Sequence, residues 1–137
     1  MELQNYVAVD DCGVVLNPTL LEGQILGGMM QGLGQVLGET CIYDQDGQIQ
    51  TASFMDYAMP HADLLHRFSL HDLPVPSPNN PLGVKGAGEA GTTGSLPSTM
   101  NAILDALRPA GVTHLDMPAS AQRVWEVLQG LPTAGTA

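Results

Sequence analysis

In the run Leu82-Gly83-Val84-Lys85-Gly86-Ala87-Gly88-Glu89-Ala90-Gly91-Thr92-Thr93-Gly94, five of thirteen residues are glycine, and one acid and one base are the only charged side chains. Glycines strip the backbone of bulk, so a large ligand can approach the main chain there. Glu89 is then the one acid beside that ligand. A carboxylate walled by apolar, glycine-rich backbone has its charged form disfavoured by desolvation, which tunes such a group toward general-base work near neutral pH. The competing reading is a capping role, because acids are favoured at helix N-termini. A second permissive stretch lies upstream, Gly23-Gln24-Ile25-Leu26-Gly27-Gly28-Met29-Met30-Gln31-Gly32-Leu33-Gly34. Together the two segments read as walls of a single site.

Other chemistry is weaker. Gly86-Ala87-Gly88-Glu89-Ala90-Gly91 matches G-x-G-x-x-G by letter. A dinucleotide fingerprint must follow a buried strand and open a helix, whereas a proline-rich connection precedes this one. His61, His66 and His71 are spaced by five residues. That spacing shares neither a helix face nor a strand face, so no metal site is expected. Cys12 and Cys41 form no ligand pattern and no disulfide framework. Asp10-Asp11 could hold a cation, or Asp11 could pin the turn at Gly13 as Asx side chains commonly do.

Several elements must position these residues. Tyr6-Val7-Ala8-Val9-Asp10-Asp11 reads as a strand ended by Cys12-Gly13. Asn17 caps a helix with Pro18 in its first turn. Leu21, Ile25, Met29, Leu33 and Val36 form its apolar stripe, to about Leu37. Its interior glycines each cost about 1 kcal/mol, so close packing or a bound group must hold it. Asp46-Gly47 marks a hairpin between Cys41-Ile42-Tyr43 and Ile49-Gln50-Thr51. Residues 65–70 alternate as a strand. Residues 73–81 hold four prolines and form an extended connection to the Glu89 run. Met100, Ile103, Leu104 and Leu107 place a second helix after Pro97, and a last short helix runs from about Ser120 to Leu128. The expected fold is α+β, a short mixed sheet with about three helices. One domain segment is expected over residues 1–129, with a flexible tail over 130–137.

The 137 residues carry a net charge of −10 with four Lys+Arg, and 44% are hydrophobic. Scarce cations argue against nucleic acid and against an anionic membrane surface. No apolar run is long enough to span a bilayer and no signal peptide is evident, so a cytoplasmic setting is expected. The 26 Gly and Pro residues (16 and 10) make the chain loop-rich, as if shaped to fit against something else.

Four segments in order carry a resemblance: Asp11-Cys12-Gly13-Val14-Val15-Leu16-Asn17-Pro18, Glu22-Gly23-Gln24, Gln31-Gly32-Leu33-Gly34 and Lys85-Gly86-Ala87-Gly88-Glu89. They resemble the end of the molybdenum-binding large subunit of the xanthine dehydrogenase/aldehyde oxidase family. Ser53-Phe54-Met55-Asp56-Tyr57 and Asn80-Pro81-Leu82-Gly83 are similar in style to aerobic carbon monoxide dehydrogenase large chains. The resemblance implies a molybdopterin cofactor with molybdenum, often as the cytosine dinucleotide in bacteria. It implies that Glu89 is the catalytic base and that Gln24, Lys85, Gly86, Ala87 and Gly88 are cofactor contacts. The implied reaction oxidises an aldehyde, an N-heterocycle or carbon monoxide with water as the oxygen source. Implied partners are the remainder of the large subunit and iron–sulfur and flavin modules. Family subunits are several-fold longer, so this chain is expected to be a C-terminal piece, inactive alone. The alternative is a non-catalytic assembly module derived from that subunit, pairing with itself as a homodimer.

Overall fold

Tyr6–Asp10, with the β-branched Val7 and Val9 on one face, forms strand β1. It pairs in parallel with β2, Phe68–Asp72, in the register Tyr6↔Phe68 to Asp10↔Asp72. The computed structural model describes residues 1–64 and 67–130, so Leu65 and His66 of the expected strand, and residues 131–137 of the expected tail, lie outside the described residues. Three helices accompany the strands: α1 (Pro18–Leu37), α2 (Ala90–Leu107) and α3 (Ala121–Leu128). The class is α+β, as expected, with a sheet of two parallel strands. Antiparallel pairing among the described residues is confined to two single bridges, Gly13↔Val84 and Tyr43↔Ile49.

The chain divides into two compact units. The first joins Met1–Gln31 to His61–Ser95. Here Asn17 caps α1, its Oδ1 accepting the Leu20 N–H at 3.1 Å. Ile25 and Met29 are buried on the inner face of α1. Burial at this level contributes roughly 1.5–3 kcal/mol per side chain, which offsets the helix's interior glycines. The first turns of α2 lie against that face. A Cβ at Gly91 would collide with the Ile25 carbonyl, and one at Gly28 would sit 2.9 Å from the Thr92 nitrogen.

That contact explains where the sequence reading of α2 was wrong. The helix starts at Ala90, not after Pro97, and Pro97 lies inside it. Glycine, threonine and proline are poor helix formers, so local propensity points to a loop. Tertiary packing overrides it: Gly91 closes on α1, and the Glu89 carbonyl accepts the N–H groups of Thr92 and Thr93, both at 3.1 Å.

The second unit joins Gly32–Pro60 to the chain from Leu96 onward. Its core is Val36, Ile103, Leu107, Leu115 and Ala119, with Met100, Leu104, Val112, Val124 and Val127 packed around them. Ser120 caps α3, its Oγ accepting the Arg123 N–H at 3.2 Å. The expected hairpin is present but short. Gly47 takes φ 78° in its turn, and the Asp44 carboxylate accepts the N–H groups of Asp46 and Gln48.

Candidate functional site

The arm that carries Glu89 is built from residues far apart in the sequence. The proline-rich connection returns the chain to the end of β1 through Leu73 N–H to the Asp10 carbonyl, 3.0 Å. Asn80 then brackets Val84, its Oδ1 accepting the Val84 N–H at 3.2 Å and its Nδ2 donating to the Val84 carbonyl at 2.9 Å. Gly83 turns with φ 68°, and its carbonyl accepts the N–H groups of Val14 and Ser77. Lys85 N–H donates to the Cys12 carbonyl at 3.1 Å. From that point the arm leaves its scaffold. Among the described residues, the N–H groups of Gly86, Ala87, Gly88 and Glu89 donate to nothing in the chain.

The two glycine-rich segments do meet. Gln24 Nε2 donates to the Gly88 carbonyl at 2.8 Å, one residue before Glu89. Thr92 Oγ1 donates to the Gly28 carbonyl at 3.1 Å. Gln24, Lys85, Gly86, Ala87, Gly88 and Glu89 therefore stand together at the N-terminal end of α2. Glu89 is exposed, so the desolvating wall expected around it is not supplied by this chain's described residues.

The glycines divide into two kinds. Gly13, Gly28, Gly83 and Gly91 are demanded by the fold, through positive φ or backbone contact. Gly86 and Gly88 are not: an added Cβ would meet nothing within 4 Å, and neither has positive φ. Gly23 and Gly27 on α1 are also open. A cavity of about 190 Å³ opens beside the arm, lined in part by Val15, Leu21, Val84, Lys85 and Ala87. A larger cavity in the same unit, about 320 Å³ between the start of α1 and β2, contains none of the candidate residues. A bulky group approaching the backbone of 86–88 would find unused N–H donors and open space over Gly86 and Gly88, so the residues present leave room for a large cofactor.

Electrostatics centre on Asp11. Its Oδ2 pairs with Lys85 Nζ at 2.5 Å, while Oδ1 accepts the N–H groups of Val75 at 2.9 Å and Gly13 at 3.0 Å. The Lys85 hydrogen bond, then those from Val75 and Gly13, hold the Asp11 carboxyl down at about 2. Asp11 does pin the turn at Gly13, as its side-chain type suggests. The ion pair to Lys85 spans 74 residues and no local pattern signals it. Neighbouring Cys12 is buried, and burial, with the charges of Asp10, Asp72 and Asp11, pushes its thiol up. It packs as a small hydrophobe. No group of three or more His, Cys, Asp or Glu that could hold a metal ion is found among the described residues.

Residues 1–65 match the family described as Molybdopterin cofactor-binding domain. Nicotine 6-hydroxylase large subunit of Paenarthrobacter nicotinovorans is 38% identical over 131 residues, covering 96% of this chain and 16% of that protein. Carbon monoxide dehydrogenase large chain of Hydrogenophaga pseudoflava is 38% identical over 128 residues, covering 93% and 16%. The structure of reconstituted CO dehydrogenase from Oligotropha carboxidovorans superposes with a TM-score of 0.87 at 35% identity, over 94% of this chain and 16% of that one. Over nearly its whole length the chain is therefore similar to one segment of molybdopterin-dependent large subunits. It spans about one sixth of the length of the proteins it matches, 16% in each case. No helix among the described residues is long and apolar enough to cross a membrane.

Proposed function

We propose that the chain is the C-terminal, base-bearing segment of a molybdenum hydroxylase large subunit. The reaction it serves is oxidation of an aldehyde, an N-heterocycle or carbon monoxide with water as the oxygen source. Glu89 is the general base: its carboxylate takes up the proton released as the substrate is oxygenated. The backbone of Lys85, Gly86, Ala87 and Gly88 lies against the cofactor, and Gln24 flanks it while holding the Gly88 carbonyl. The bound cofactor, a molybdopterin in the cytosine dinucleotide form, supplies the two-electron redox chemistry at molybdenum. The observation that carries this reading is the pair Gly86 and Gly88, glycines that neither their φ angles nor packing among the described residues requires. Unlike the open helical glycines Gly23 and Gly27, these two lie on an arm whose N–H donors are also unused, which suits a group approaching from outside the chain.

The partners follow from the same reading: the remainder of the large subunit, and iron–sulfur and flavin subunits. Phe54 is 84% exposed and Met55 96%, which is apolar surface of the kind that a larger subunit covers. Without that cover the isolated chain holds no pterin tightly, is inactive, and associates with a second copy of itself. That exposed surface also favours the second reading, an assembly module without catalysis. Molybdenum and pterin analysis of the complete subunit separates the two. Gly86→Val and Gly88→Val should each lower cofactor content while leaving the subunit folded. Full cofactor content in both variants would remove the basis for placing the cofactor on this arm.

A further inference from the structure

We propose that Asp11 is a positioning residue for the acid-bearing arm, with Lys85 as its counter-ion and not as a side-chain ligand of the cofactor. The proposal rests on reading Glu89 as the base. One carboxylate gathers three segments: the turn after β1 through Gly13, the proline-rich connection through Val75, and the arm through Lys85. Charge-assisted hydrogen bonds of this kind are stronger than neutral ones. The Lys85 ammonium, the only cation in the glycine-rich run, is engaged by the Asp11 carboxylate.

The arm needs such an anchor. Beyond Lys85 the carbonyls of the arm are held by the Ala90 N–H on Ala87 at 3.4 Å and by the Gln24 side chain on Gly88, but no N–H from Gly86 to Glu89 is bonded within the described chain. Glu89 is thus held from both sides. At the far end Gln24 holds Gly88, and the first turn of α2 holds the Glu89 carbonyl through Thr92 and Thr93. At the near end the Lys85 N–H is fixed on the Cys12 carbonyl, and Asp11 adds the charge-assisted tie through the Lys85 side chain. Both partners of the ion pair are about one third exposed, 34% and 37%, so the pair can be altered without opening a core.

The test is ¹⁵N relaxation of the full 137-residue chain. In Lys85→Met and in Asp11→Asn, the order parameters of Gly86, Ala87 and Gly88 should drop below about 0.6, the range of flexible backbone. Those of α3 should stay at the parent values. Lys85→Arg keeps the charge and should restore the parent order of the arm. An arm as ordered in Lys85→Met and Asp11→Asn as in the parent would overturn the proposal. So would loosening spread equally over α3, which marks a general structural role, or failure of Lys85→Arg to restore order. The relaxation readout does not involve turnover, so its failure and a failure of Glu89 as base are separately visible.

Discussion

Gln24 and Gly88 lie 64 residues apart, yet the side-chain amide of the first donates to the carbonyl of the second at 2.8 Å. Through that bond the second turn of α1 holds the peptide immediately before Glu89. A permissive loop gains a fixed end without gaining bulk. The bond is exposed, so its worth is modest, about 0.5–1.5 kcal/mol for a net intramolecular hydrogen bond. Gln24→Ala should lower stability by that amount, read as a fall in the urea midpoint with an unchanged slope. An unchanged midpoint would show that the bond is not made in solution.

The two kinds of glycine should respond oppositely to alanine. Gly91→Ala drives a methyl group into the Ile25 backbone and should cost about 1–3 kcal/mol by overpacking. Gly27 on α1 has open space where a Cβ would lie, so Gly27→Ala should stabilise the isolated chain by about 0.5–1 kcal/mol through helix propensity. Thermal melts of both variants decide this. Equal destabilisation by the two would mean that α1 is packed differently from the contacts described.

Acid should weaken the first unit through Asp11. Its carboxyl titrates at about 2 in the folded chain against 3.8 for the free side chain, so the folded state binds fewer protons over that interval. The stabilisation is therefore fully present above about pH 4 and is lost as pH falls through about 2. The stability difference between the parent and Asp11→Asn should shrink as pH is lowered from about 5 to about 2. A constant difference over that range would remove Asp11 from the acid response. Lys85→Met should flatten the parent's dependence in the same window.

Local patterns made much of this fold legible. Asn17-Pro18 and the spacing of Leu21, Ile25, Met29 and Leu33 are enough to place α1. Ser120 and the apolar pair Val124 and Val127 place α3. Asp46-Gly47 places the turn at Gly47. What failed was local by nature. Residues 90–97 are helical because Gly91 closes on Ile25, a contact that depends on a helix 66 positions earlier (91 − 25). The Asp11–Lys85 pair and the Asn80 bracket around Val84 are likewise products of the chain's return, with no periodicity to betray them. The purpose of the glycines could not be divided from sequence either. Packing and ligand approach both call for glycine, and only the space around each Cβ separates Gly28 and Gly91 from Gly86 and Gly88.

The central claim is that Glu89 is the base of a molybdenum hydroxylase, and turnover by the complete enzyme carrying Glu89→Gln tests it most directly. Glutamine keeps the shape at the N-terminal end of α2 and removes the proton acceptor. At equal molybdenum and pterin content, turnover should fall by at least the ~10²–10⁴-fold typical of losing a general base. Near-parental turnover at full cofactor content would contradict the claim and place the base on another residue.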